Sequence, residues 1–286
     1  MINSLGLKYP LSCQIKAGLS NLNRLNLKVE SSLGDDIENV EEFAELLISA
    51  HAPVTIGDMR LNYGATDKDF RNISINQIIA YIDAARRYPH VKQINMHPGP
   101  KQWLKPEQTQ GRIGDYQLMI EAIRTISSHA QDYGLEIVVE NNNAYWAGIP
   151  DSVEPDQIDW STRNMLFGSS PEEWIEICED VDMENVGLCL DSSHICTHAH
   201  TIPDKNERVS EVMKFLAKPQ LIKHVHWNDN YIYDYRGRND SHAVLGSGEL
   251  PLEFHRTIKS LNATLLIEHF YTIEDLESEL RFIRDL

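Results

Sequence analysis

Residues 222–249 read IKHVHWNDNYIYDYRGRNDSHAVLGSGE. The run from Ile222 to Trp227 is rich in β-branched and aromatic residues and predicts a strand, which breaks at Asn228-Asp229-Asn230. A polar loop with Arg236 and Arg238 follows, then Asp240-Ser241-His242 and a glycine turn at Gly246-Ser247-Gly248. Histidine at a strand's end, with an Asp-x-His pair on the adjoining loop, is a common way to present nitrogen and oxygen to a divalent cation. The plainer alternative is a polar loop carrying incidental histidines, and the stretch alone leaves both open.

The same order of short β-rich run, polar break and amphipathic stretch extends in both directions. Further strands are predicted over Leu11–Lys16, Leu27–Glu30, His51–Ile56, Gln93–Met96, Leu135–Val139, Val186–Leu190 and Thr264–Ile267. Helices are predicted over Glu41–Ala50, from the spacing of Phe43, Leu46, Leu47 and Ala50, and over Ile75–Arg87 and Asp115–Tyr133, the latter closed by Gly134. Ser170-Pro171 starts another, and Glu207–Leu216, Leu252–Leu261 and Ile273–Ile283 complete the set. Eight alternating units predict an α/β fold, a single (β/α)8 TIM barrel occupying residues 1–286 as one domain. A doubly wound open sheet competes, but no Gly-rich nucleotide turn follows an early strand. The longest connection, 141–169, carries Tyr145, Trp146 and Trp160 among acids and reads as a lid or binding element.

Composition narrows the function. A net charge of -17 repels polyanions and suits a protein that binds cations. No apolar run is long enough to span a bilayer, so no membrane partner is expected. The start, MINSLGLKYPLSC, lacks a basic segment and an apolar core, and the four cysteines show no paired spacing. Both point to a cytoplasmic protein with reduced thiols. Cys189 and Cys196 flank Asp191 and His194 without CxxC spacing and read as packing residues.

The residues able to bind metal gather at the carboxyl ends of predicted strands: His97, Glu140, Asp191 with His194, His226, and Glu268. His51 is expected at the start of the third strand, and Asp240 and His242 on the loop after the seventh. A lone acid after an apolar strand is usually a helix cap. Many strands ending this way converge on one face of a barrel, where clustered carboxylates repel unless cations neutralise them. His90, His129 and His255 read as surface residues of helices, and His198, His200 and His269 fit no ligand spacing. His224 shares a strand face with His226, one layer deeper, as a core histidine or a support for a ligand.

At these residues the chain resembles the xylose isomerase-like barrel superfamily and, within it, the endonuclease IV family. The matching pieces are His51 in HAPVTIG, His97 in NMHPGP, Glu140 in VVENNN, and Asp191 with His194 in GLCLDSSH. They continue with His226 in HWND, Asp240 and His242 in NDSHAVLGSGE, and Glu268 in LLIEHF. The resemblance implies two to three divalent ions, with zinc, manganese or iron suiting this mix of histidine and carboxylate. One ion would sit on His51 and His97, a second on Asp191, His226 and Glu268, with Glu140 bridging them, and a third on His194, Asp240 and His242. It further implies a hydroxide nucleophile, Glu140 and Glu268 as the catalytic carboxylates, and Arg236 or Arg238 helping to neutralise a phosphoryl group. Arg236, Arg238 and Trp146 are the candidate substrate-binding residues.

One stretch departs from that family. Where its DNA-reading loop follows the second strand, this chain has Glu30-Ser31-Ser32-Leu33-Gly34-Asp35-Asp36-Ile37-Glu38, acidic and without an aromatic residue. Arg60 and Tyr63, after His51, do not replace it. The expectation is therefore a metal-dependent hydrolase of phosphoesters, with a small sugar phosphate a better substrate than abasic duplex DNA. A metal-dependent sugar isomerase or epimerase is the alternative, needing only Glu140, Asp191, His226 and Glu268. An abasic-site endonuclease, a multinuclear iron oxidase (whose family shows asparagine at the position of His194) and a non-enzymatic metal-binding scaffold rank lower.

Overall fold

The computed structural model describes residues 5–32, 40–105 and 110–286. Its frame is a closed barrel of eight parallel strands: β1 (Leu11–Gln14), β2 (Lys28–Ser31), β3 (Leu47–His51), β4 (Gln93–Met96), β5 (Glu136–Glu140), β6 (Val186–Asp191), β7 (Ile222–His226) and β8 (Thr264–Ile267). Neighbours in sequence are neighbours in the sheet, and β1 closes the ring by pairing with β8 as well as β2. The TIM barrel expected from the alternating pattern is thus the fold found.

Helices α1 (Leu19–Leu25), α2 (Lys68–Ala85), α3 (Tyr116–Gln131), α4 (Pro171–Val181), α5 (His194–Ala199), α6 (Arg208–Lys214), α7 (Leu252–Ser260) and α8 (Ile273–Asp285) form the outer layer. Asp67, Asp115 and Thr272 each accept a backbone N–H at the start of α2, α3 and α8, satisfying donors that a helix leaves unpaired. The main core lies between helices and strands, where Ile78, Ile82, Ile123, Ile126, Trp174, Ile177 and Phe254 are fully buried. Each such side chain contributes about 1.5–3 kcal/mol by leaving water.

Several sequence expectations need correction. The helix predicted over Glu41–Ala50 is a 3-10 turn at Val40–Phe43 followed by β3. Leu47 and Ala50 are fully buried, as a helical stripe requires, yet a parallel strand covered on both faces gives a similar apolar pattern. Pairing with β2 and β4 decides the conformation. His51 consequently ends β3 instead of starting it, and Thr55–Ile56 belongs to a small antiparallel hairpin with Met59–Arg60. Helix α3 ends at Gln131 with Asp132 as its C-cap, and Gly134 takes a left-handed φ of 68° two residues later. His255 is buried, not on the surface, and its Nδ1 accepts a hydrogen bond from Trp227 Nε1 at 3.0 Å. Tyr63 is buried too and offers no exposed ring for stacking.

The four cysteines are buried and unpaired. Among the described residues no helix is long and apolar enough to cross a membrane. Of the acidic stretch 30–38, residues 33–38 lie outside the described residues. Glu30 itself is buried at the end of β2, so it is not part of an exposed acidic loop.

Candidate metal centre

The carboxyl ends of the strands bring the candidate ligands together. His51 Nε2 and His97 Nε2 lie 3.4 and 3.6 Å from Glu140 Oε2. The other ring nitrogen of each has an oxygen acceptor at 2.8 Å, Ala52 O for His51 and Asn142 Oδ1 for His97. A neutral imidazole that donates from Nδ1 keeps its Nε2 lone pair free, so both rings aim a ligating atom at Glu140.

His226 is turned the other way. Its Nδ1 lies 3.2 Å from Glu268 Oε1, 3.5 Å from Glu140 Oε1 and 3.8 Å from Asp191 Oδ2. His194 donates from Nδ1 to Asn141 O at 2.7 Å, which leaves its Nε2 3.2 Å from Asp240 Oδ2. His242 Nε2 lies 2.8 Å from Asp240 Oδ1 and 3.6 Å from Glu268 Oε2.

The loop after β7 is braced to hold Asp240 and His242. Asp229 accepts backbone N–H groups from Asn230, Gly246 and Leu250, and Glu249 accepts those of Ile232 and Tyr233. Within it Gly237 passes so close to Tyr231 that an added Cβ would lie 1.7 Å from the Tyr231 carbonyl oxygen. His242 itself takes a left-handed φ of 39°, and Tyr271 Oη donates to its carbonyl at 2.7 Å. A non-glycine residue in that region costs of order 1–3 kcal/mol and is held there by its surroundings.

The cluster has the marks of a cation site. Asp191 Oδ2 and His226 Nδ1 are buried without a hydrogen-bond partner, each omission costing about 1–3 kcal/mol in a closed interior. Three sets, His51–His97–Glu140, Glu140–Asp191–His194 and Asp191–His242–Glu268, each place one ligand atom per residue within 4.8 Å of the others. The first set is the one the family resemblance implied. The others interleave the implied second and third sets, because Asp191 lies between His226, His194 and His242.

Without cations the site is electrostatically frustrated. Burial, reinforced by Glu268 and Asp240, pushes the Asp191 carboxyl well above the usual range. For Glu140 burial is outweighed by His97 and His226, which hold it well below. Burial draws His97 down to about 4, whereas His51, despite its burial, is lifted to about 9 by Glu140. His242 also rises to about 9 against its burial, beside Glu268 and Asp240. A ring with a pKa near 9 carries a proton at pH 7 and must lose it to bind a cation. Cation uptake at pH 7 is therefore expected to release protons, with affinity rising as pH climbs toward 9. Titration with Zn2+ in weak buffer measures this, and an uptake that releases no proton would count against His51 and His242 as ligands.

The three candidate substrate-binding residues sit differently from one another. Arg236 is exposed, packed 3.9 Å over the Tyr231 ring and paired with Asp234 at 3.0 Å. Arg238 is buried, stacks 4.3 Å over Trp146 and donates to the carbonyls of Pro150 and Asp151. Trp146 donates from Nε1 to Thr197 O at 2.8 Å. Arg238 and Trp146 pin the 141–169 connection to the loop after β7 and to α5.

The sequence reading missed the residues that hold the ligands. Asn142 orients His97, while Asn141 grips the Asp191 backbone at 2.7 Å as well as His194. Asn95 donates to Glu140, and Asn228 to Glu268 at 3.2 Å. For Asn141, Asn142 and Asn228 the available signal was asparagine just beyond a strand end, in ENNN and HWND, whereas Asn95 lies inside β4.

The sequence profile of xylose isomerase-like TIM barrels matches residues 26–286. The chain belongs to that family. Within it, the chain is 24% identical over 251 residues to a Clostridium botulinum (strain Alaska E43 / Type E3) protein named "Probable endonuclease 4", covering 84% of this chain and 78% of that one. It is 26% identical over 208 residues to an uncharacterized protein of Methanocaldococcus jannaschii, covering 72% of this chain but only 57% of the relative's length. A solved D-tagatose 3-epimerase-like protein shares the fold with a TM-score of 0.64 at 20% identity, covering 96% of this chain and 97% of its own. The chain thus resembles in sequence a protein named for an endonuclease, and in fold a protein named for its likeness to a sugar epimerase.

Proposed function

We propose that this chain is a metal-dependent hydrolase of phosphoesters, working as one barrel domain on a small sugar phosphate or related ester. The observation that carries the reading is the surplus of ligands. Glu140, Asp191, His226 and Glu268 would serve a mononuclear site, yet His51 and His97 also close on Glu140, and His194, Asp240 and His242 form a further group beside it. We assign His51, His97 and Glu140 to one ion, Asp191, His226 and Glu268 with Glu140 to a second, and His194, Asp240 and His242 to a third.

Divalent cations bound there, whether zinc, manganese or iron, would acidify a water and neutralise phosphoryl charge. Glu268 is the proposed proton acceptor. His226 and His242 hold its carboxyl down to about 2 despite burial, so it is ionised at neutral pH, and Asn228 fixes its Oε2. Glu140 keeps the histidines of three strands aimed at one point. Arg238 and Trp146 are proposed to wall the substrate side through the segment they pin, with Arg236 at the outer rim.

Size and charge favour a small substrate. A cavity of about 300 Å3 opens beside the ligands, lined by Gln14, Lys16, Ser31, His51 and Glu268, a volume suited to one small molecule. The net charge of -17 opposes duplex binding, since each phosphate contact needs a basic partner. A sugar isomerase or epimerase is the second reading, favoured by the pairing of Glu140 and Glu268 around His226, as proton-shuttling carboxylates require.

The test compares cleavage of small sugar phosphates with incision of abasic duplex at physiological salt, on metal-replete protein with a Glu140→Gln control. Turnover of the small ester with weak or no incision is expected. Robust incision absent from the control would make abasic DNA the substrate, and sugar interconversion without ester cleavage would install the isomerase.

A further inference from the structure

The interior of a TIM barrel is normally filled by branched apolar side chains, but beneath this metal centre it is polar. Glu30, fully enclosed except at its edge on the cavity, stands between two histidines of β7. Its Oε1 accepts from His226 Nε2 at 3.0 Å, and its Oε2 lies 2.9 Å from His224 Nε2. His224 Nδ1 meets Thr264 Oγ1 at 2.5 Å, and Thr264 Oγ1 donates to Gln93 Oε1 at 2.7 Å. Gln93 Nε2 in turn donates to Glu136 Oε2 at 3.0 Å and Lys223 O at 3.1 Å. The chain of contacts thus runs from the ligand cluster down the barrel and ties β2, β4, β5, β7 and β8 together.

We propose that Glu30 is a positioning residue of the metal centre, selecting Nδ1 of His226 as its ligating atom. A neutral imidazole carries one N–H, and the nitrogen that bears it is set by the acceptor it meets. Once the ring gives up its second proton to a cation, Glu30 accepting from Nε2 leaves the His226 lone pair on Nδ1, the atom that faces Glu268, Glu140 and Asp191. His51 and His97 present Nε2 instead, because their acceptors meet Nδ1. A carboxylate behind a ligating ring also raises its basicity, and losing such a partner typically weakens metal affinity 10- to 100-fold. His224 encloses the other oxygen of Glu30, with its Nε2 2.9 Å away.

This role rests on the metal centre proposed above, and the experiment separates the two. Co2+ affinity is measured by chelator competition for the wild type, Glu30→Gln and Glu30→Asp, with circular dichroism to follow folding. The hyperfine-shifted, exchangeable ring N–H signals of the Co2+-loaded proteins report ligand tautomers. We expect Glu30→Gln to bind Co2+ about 10- to 100-fold more weakly. It should also lose exchange protection at the His226 Nε2–H, assigned by its absence in His226→Gln. Glu30→Asp, which keeps a carboxylate, should recover part of both, which a general loss of packing would not do. Wild-type affinity and an unchanged His226 signal in Glu30→Gln would overturn the positioning role alone. A wild type that takes up no Co2+ would remove the metal centre and the role with it. Cys189 places a ligand atom within 4.8 Å of those of His224 and His226. A further equivalent of metal lost with Cys189→Ser would also overturn the proposal, by making Glu30 a ligand of an ion of its own.

Discussion

Changing Asp240 and His242 together to alanine is expected to remove one bound cation and to cut phosphoester cleavage by a hundredfold or more. Asp240 is the hub of this group, with one oxygen 3.2 Å from His194 Nε2 and the other 2.8 Å from His242 Nε2. The double variant leaves His194 as the last member of the group, too little to retain a divalent ion. The lost ion would no longer offset charge developing on the phosphoryl group, and losing a single stabilising contact of that kind already costs about 100- to 1000-fold. The fold should survive, because the loop is braced by Asp229 and Glu249, which the change leaves alone. Metal analysis of the purified variant beside the wild type is the measurement. Retention of every equivalent, or undiminished cleavage, would break the assignment of these residues to a separate ion.

Stripping the cations should have an equally large effect, on stability as well as turnover. The empty site leaves Asp191 Oδ2 and His226 Nδ1 buried and unpaired, and sets Asp191, Glu268 and Asp240 against one another. A ligand present at about a thousandfold over its dissociation constant stabilises a protein by about 4 kcal/mol. At about 2–4 °C per kcal/mol for a chain of roughly this size, the melting temperature should fall by about 8 °C or more on chelation. Both melting temperature and activity should return when Zn2+ or Mn2+ is restored. Glu140→Gln should respond less than the wild type to either treatment, since Glu140 faces His51, His97 and His226 at once while the group around Asp240 does without it. Scanning calorimetry with and without chelator gives the answer, and a stripped wild type with unchanged melting and full turnover would end the metal reading.

The two parts of this site differ in how far the linear chain reveals them. His97, Glu140, Asp191, His226 and Glu268 each follow a short apolar run, and a parallel barrel sends all strand ends to one face. Local pattern therefore sufficed for the barrel and for most of the converging side chains. It failed at Glu41–Ala50, where the spacing of apolar residues fits a helix and a doubly covered strand alike, and only pairing with β2 and β4 separates them.

The residues behind the ligands were beyond any local reading. Glu30 and His226 are 196 positions apart, and nothing near Glu30 distinguishes it from the acids that follow it. By itself the sequence determined which strands end in groups able to bind metal, because strand polarity and side-chain alternation are local properties of the backbone. Which side chains face each other across the barrel axis was decided by closure of the sheet. That closure puts Glu30 between two histidines, Asn95 on Glu140 and Arg238 on Trp146, and so sets the direction in which each ligand points.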